Sequence, residues 1–394
     1  MQRKNRKVKQ KNNYRYITVA FIALVSIASL SYVTITNKDS VVNISVTNKP
    51  KTAVYPTLYS DKNITKSAVE SDKRFSNIKI VEKESMLANA ISIINKTSVL
   101  KDKEYEKGTW LWTPIPQLTE KYSDSIISGA VKYGIKNIYL SIDSYLDIYI
   151  MPDGDEKIAK RAEFDKKIEY FIKKANDNGI TVDAEAGWRN WAEDGNTYKA
   201  LATLNYALKF NKEHTVKFRG FQYDVEPYLL DEYKENKAKI LKNFLNLVNQ
   251  TVSMLNNKDL ELTVVIPEFY DGSNGETPKF LYNGKSKYAS EHLLSILDRR
   301  EGSKVIIMSY RNFTKGIDGS IDISKDEINS ANEHKTKIII AQETGDVEPP
   351  YITFHNTNKK YFNRQKTELD KAFMLDKSYG GVAIHYINAF LDLK

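Results

Sequence analysis

Eight short runs rich in β-branched residues recur from residue 109 onward, and that recurrence limits what this chain can fold into. The runs are 109–112, 137–143, 181–187, 218–226, 262–267, 304–310, 337–342 and 381–386. Their spacing of roughly 30–45 residues suits one strand, one helix and two loops per repeat. Amphipathic stretches lie between them. Residues 163–178 and 239–255 read as helices, and Asn178-Gly179 is a good stop for the first. Eight βα units predict an α/β fold, a (β/α)8 TIM barrel spanning 104–394. A doubly wound sheet would need a Gly-rich phosphate loop after the first strand, and none is present.

The segment ahead of the barrel has a different texture. Residues 1–16 carry seven basic side chains and no acid, most of the chain's net charge of +9. Residues 17–35 are apolar and uncharged. As a helix they would span about 28 Å, the thickness of a hydrocarbon core. A basic flank followed by such a stretch predicts a cytoplasmic tail and a transmembrane anchor or signal segment, with the remainder outside. Residues 36–103, rich in Lys, Asn, Ser and Thr, read as a spacer. Beyond residue 16 the charge is nearly balanced, so no nucleic-acid partner is expected. The absence of cysteine excludes disulfides, thiolate metal sites and a cysteine nucleophile.

In a barrel of this kind chemistry collects where the strands end. The first run ends in Trp110 and Trp112, and the second in Asp143. The third carries Glu185, then Trp188, Arg189 and Trp191. On the fourth, Gln222, Asp224 and Glu226 alternate onto one face, with Tyr228 beyond. Glu268 follows the fifth, Tyr310 and Arg311 end the sixth, Gln342 and Glu343 the seventh, His385 and Tyr386 the eighth. Carboxylates interleaved with aromatic rings suit a sugar: rings stack on pyranose faces, and acids bind hydroxyls or protonate the glycosidic oxygen. Two acids at one strand end raise each other's pKa, which keeps a proton donor loaded near neutrality. Met308 reads as barrel packing. The five histidines are dispersed without ligand spacing, so neither metal nor cofactor is expected; His214, His292 and His334 read as surface residues. Asp153 to Glu156 reads as a solvated turn.

From residue 108 onward these motifs resemble glycoside hydrolase family 18, the chitinase-like barrels. That family's fourth strand carries Asp-x-x-Asp-x-Asp-x-Glu; here the same register is Arg219, Gln222, Asp224, Glu226. Ala184 to Trp188 is similar to its third strand's end, and residues 262–267 to its fifth. Met308-Ser309-Tyr310-Arg311 stands at its Met-x-Tyr-Asp position. Gly380-Gly381-Val382 opens the eighth strand, with His385 near the family's Trp. The resemblance implies Glu226 as general acid, and Asp224 as the group that orients the substrate's own acetamido nucleophile. Tyr310 would hydrogen-bond that acetamido group. Trp110, Trp112, Asp143, Glu185, Trp188, Arg189, Gln222, Tyr228, Glu268, Arg311, Gln342, Glu343, His385 and Tyr386 are the substrate-binding candidates. The partner is a polysaccharide or oligosaccharide containing amino sugars.

Two other readings stand beside it. Glu226 on strand four and Glu343 on strand seven also suit a retaining glycosidase, as acid/base and nucleophile. A non-catalytic, membrane-tethered glycan-binding barrel is the third. Arg219, Gln222, Arg311 and His385 depart from the chitinase pattern, and Arg189 and Arg311 near the mouth would favour an anionic glycan.

Overall fold

The computed structural model describes residues 31–38, 41–48, 105–255, 259–273 and 275–394. Ser31–Lys38 and Val41–Asn48 pair as an antiparallel hairpin in one compact unit, Met1–Lys83. The expected 17–35 span lies outside the described residues except for its last five, which run in this hairpin. Among the described residues no helix is long and apolar enough to cross a membrane.

The barrel belongs to the second unit, Glu84–Lys394. Its strands are β1 (Glu106–Leu111), β2 (Asn137–Ser141), β3 (Thr181–Ala186), β4 (Gly220–Tyr223), β5 (Glu261–Pro267), β6 (Lys304–Met308), β7 (Lys337–Glu343) and β8 (Tyr379–His385). All eight pair in parallel in sequence order, and β8 returns to β1 to close the ring. The expected eight-stranded barrel is therefore observed. Strands β5, β6 and β7 carry long apolar runs because both faces are covered, one by helices and one by the barrel interior.

Helix α1 (Glu120–Lys132) starts at Thr119, whose side chain accepts from the Tyr122 amide. Helix α2 (Tyr145–Tyr149) is a single turn. Helix α3 runs Asp155–Asn176, longer than the predicted 163–178. Its first two turns are polar, and their one large apolar residue, Ile158, faces solvent, so no periodicity marks them. The acidic turn is shorter than expected for the same reason: Asp155 and Glu156 already belong to this helix. Helix α4 covers Thr197–Glu213, and α5 covers Tyr233–Met254 with a kink at Asn236. Helices α6 (Ala289–Leu297), α7 (Ser320–Ala331), α8 (Lys359–Phe373) and α9 (Ile387–Asp392) complete the ring. His292 is buried on α6, its ring at 3.0 Å from the Phe280 carbonyl, so it is a packed core residue and not a surface one. Trp191 is also core, edge-on to Tyr223 at 6.3 Å.

The barrel interior is apolar in its middle, where Trp110, Tyr139, Val265, Ile306, Ile339, Ala341 and Ala383 pack together. Its lower end is ionic. Arg219, at the start of β4, reaches Asp183 on β3 through two bonds of 2.6 and 2.9 Å. It also meets Glu106 on β1 at 3.1 Å and Glu261 on β5 at 3.5 Å. Lys304 on β6 bridges the same Glu106 and Glu261. Burial alone would raise the Asp183 carboxyl, but Arg219 overrides it and the pKa lies below the ordinary value. Arg219 is thus a floor residue: the register position of the chitinase pattern's first acid lies here in the ionic cluster at the lower end of the barrel. Arg219→Met leaves Asp183 buried without its partner. It should lower the unfolding free energy by about 3 kcal/mol in urea titration. A loss below about 1 kcal/mol would show that the floor does not depend on this pair.

Candidate active site

At the opposite end, where the strands finish, a cleft of about 360 Å³ opens. Its wall is built from the ends of β1, β2, β3, β4, β6 and β8. Nine of the candidate residues line it: Trp112, Asp143, Glu185, Trp188, Arg189, Asp224, Glu226, Tyr310 and His385. Gly187, Leu229 and Met308 line it as well. Met308 was expected only to pack; it packs inside the barrel and also floors the cleft. Leu229 sits in the turn after Pro227 and carries no sequence signal for a site.

Strand four is shorter than the predicted 218–226. Its ladder ends at Tyr223, and the Asp224 amide makes one last bond to Ala186. Pro227, which has no N–H to offer, then opens a turn. That break carries both acids past the end of the ladder, and Asp224 and Glu226 line the cleft half-buried. Gly187 is required beside it: a Cβ there would stand 1.9 Å from the Asp224 carbonyl oxygen. The Gly187 amide donates to Asp143 Oδ1 at 3.2 Å.

Asp143, Glu185 and Asp224 form an acidic group on three adjacent strands. Burial pushes Asp143 up to about 7, against the single bond from Gly187. Glu185 is fully buried and lies well above the ordinary range, through burial first and then through Asp143 and Asp224. The Ser141 hydroxyl approaches it, yet neither carboxyl oxygen has a hydrogen-bond partner. Asp224 is likewise well raised, by burial, then by Glu226 and Asp143, and its Oδ1 has no partner. Glu226 accepts a bond from the Tyr228 hydroxyl. Tyr228 therefore holds the acid without lining the cleft.

The facing wall is aromatic. Trp112 Nε1 donates to His385 Nε2 at 3.0 Å, and His385 Nδ1 meets Glu343 Oε2 at 2.6 Å. Tyr310 stacks on His385 with ring centres 5.8 Å apart. Behind them lies Trp110, fully buried, whose Nε1 donates to Gln222 Oε1 at 2.6 Å.

Several candidates stand outside the cleft, for physical reasons. Trp110 and Gln222 are buried partners of each other inside the barrel. Gln342 turns inward and donates to the Ser309 and Ala341 carbonyls. Glu343 is almost fully buried; its Oε1 accepts from the Thr344 and Gly345 amides while Oε2 takes His385. Tyr386 packs edge-on to His385. Arg311 is held by Asp318 at 2.7 Å and lies 3.9 Å from Glu268. Neither Arg311 nor Glu268 reaches the cleft. Four carboxyls there face one arginine, Arg189, which lies over the exposed Trp188 ring at 5.7 Å.

No family model matches the chain, and no curated protein matches it. Similar solved structures include an endo-1,4-beta-mannanase from Rhizomucor miehei, 11% identical, covering 72% of this chain and 86% of that one, TM-score 0.45. A family 18 chitinase from Cycas revoluta bound to (GlcNAc)3 is 12% identical, covering 73% of this chain and 96% of that one, TM-score 0.44.

The acidic group sets a pH dependence. A carboxyl raised in the folded state binds its proton more tightly there than in the unfolded chain. It stabilises the fold below about pH 4, and that contribution is lost as pH rises through about 7. Stability should fall by about 2 kcal/mol or more between about pH 5 and about pH 8. Asp143→Asn keeps the Gly187 bond and should remove the Asp143 share of that fall in paired urea titrations, leaving the shares of Glu185 and Asp224. A fall of full size in the variant would mean that another group causes it.

Proposed function

We propose that the barrel is a glycoside hydrolase acting on a polysaccharide that contains N-acetylated amino sugars, through the substrate-assisted route. One observation carries this reading: Glu226, Asp224 and Tyr310 line one cleft together with Trp112 and His385. Glu226 stands at the mouth with one oxygen held by Tyr228 and the other free to meet a glycosidic oxygen. It protonates that oxygen as the bond to C1 breaks. The acetamido carbonyl oxygen of the same sugar closes on C1, giving a cyclic oxazolinium. Asp224 below accepts the acetamido N–H and faces the positive charge that develops. The Tyr310 hydroxyl donates to the acetamido oxygen. Water, deprotonated by the Glu226 carboxylate, then opens the ring with the anomeric configuration retained.

The placement of Glu343 supports this route over the retaining pair. Its oxygens are taken by two amides and His385, and it does not line the cleft. A nucleophile needs a free oxygen facing C1. The basic residues 1–16 and apolar residues 17–35 further suggest a chain tethered to a membrane, with the barrel outside and a cell-envelope or extracellular polymer as substrate.

The purified full-length chain should cleave N-acetylated amino-sugar oligomers and leave their free-amine counterparts uncut, because an amine cannot form the oxazolinium. Glu226→Gln should lower kcat by at least about 100-fold while oligomer binding persists. Equal cleavage of acetylated and free-amine oligomers, or an inverted product anomer by NMR, would rule the route out. Binding that is the same in parent and Glu226→Gln, with no cleavage by either, would point to the glycan-binding barrel.

A further inference from the structure

The aromatic wall has a property that its composition alone does not reveal: the indole and imidazole nitrogens in it are already used. An indole N–H can only donate, so the Trp112 bond requires His385 Nε2 to be bare. The imidazole proton then sits on Nδ1 and donates to Glu343 Oε2. Glu343 cannot turn away, because its other oxygen is fixed by the Thr344 amide at 2.8 Å and the Gly345 amide at 2.6 Å. The chain of bonds runs from the backbone after β7, through Glu343 and His385, to the Trp112 indole. Each link dictates the donor or acceptor role of the next.

We propose that Glu343 and His385 are positioning residues that hold the Trp112 ring in the cleft as a stacking surface for the sugar. This rests on the cleft being the sugar site of the proposed function. With its indole N–H occupied, Trp112 offers the substrate ring surface and no hydrogen bond, so it fits the C–H face of a pyranose. The hydroxyls and the amide of the sugar are left to the carboxyls that line the same cleft, among them Asp143, Asp224 and Glu226. His385 therefore does not stand in for the chitinase tryptophan. It supports a tryptophan supplied by β1.

Glu343→Gln is the decisive substitution because it changes almost no volume. The two backbone amides keep the side-chain oxygen where it is, so the new NH2 must face His385 Nδ1. Two donors cannot meet, and the imidazole proton moves to Nε2. There it confronts the Trp112 N–H, and the indole loses its anchor. The chain has four tryptophans, so a 1H–15N spectrum of the full-length protein holds four indole signals, with Trp112 assigned by Trp112→Phe. Glu343→Gln should shift the Trp112 signal and leave the fully buried Trp191 signal in place. With Glu226→Gln as background to prevent turnover, affinity for an N-acetylglucosamine tetramer should drop about tenfold, or about 1.4 kcal/mol. In Trp112→Phe, which has no N–H to repel, the same substitution should cost less than about twofold; this non-additivity marks the relay. An unmoved Trp112 signal overturns it whatever the substrate. A tetramer neither bound nor cleaved by the parent chain overturns the proposed function and leaves the spectrum to decide the relay.

Discussion

The Arg219–Asp183 pair is the contact on which the rest of this barrel depends. It places a guanidinium inside the lower end, where it gathers acids from β1, β3 and β5, while Lys304 adds a second cation from β6. Buried charge is tolerated there because each acid has a cation at hydrogen-bond distance. At the upper end four carboxyls line the cleft beside a single arginine, Arg189. Asp183 lies below the ordinary carboxylate range, whereas Asp143, Glu185 and Asp224 lie above it. Acids at the two ends of the barrel are thus displaced in opposite directions: the Arg219 guanidinium holds Asp183 down, while burial and neighbouring carboxyls push Asp143, Glu185 and Asp224 up.

The cleft repeats that division across its width. The Trp112–His385 wall has the nitrogens of both rings satisfied within the protein, while the opposite wall leaves carboxyl oxygens unmet. A pyranose has the same two characters, with C–H faces and a rim of hydroxyls.

Much of this was legible in the sequence. Eight β-branched runs predicted eight strands, and a barrel followed because their spacing leaves room for one helix each. The polar ends of those runs predicted the neighbourhood of the site, so Asp143, Glu185, Asp224, Glu226, Tyr310 and His385 converge as expected. Side-chain direction was harder to read. Glu343 and Gln342 follow the same strand-end rule as Glu226 yet turn into the protein, because backbone amides and carbonyls nearby claim their polar atoms. Arg311 looked like a mouth residue until Asp318, seven positions on, took its guanidinium. His292 offered only a histidine on an amphipathic helix, and its burial depends on the Phe280 carbonyl lying opposite.

By itself, the sequence determined the number of barrel strands, their order and the set of acids and rings at their ends, because those follow from local alternation and spacing. Which acid is neutralised, which ring faces the sugar and which polar atom stays unmet were decided only in three dimensions. The partners concerned are far apart along the chain: Arg219 and Glu106 by 113 residues, Trp110 and Gln222 by 112, Trp112 and His385 by 273. Barrel closure brings them together, and a charge or hydrogen bond has no meaning for function until its partner is in place.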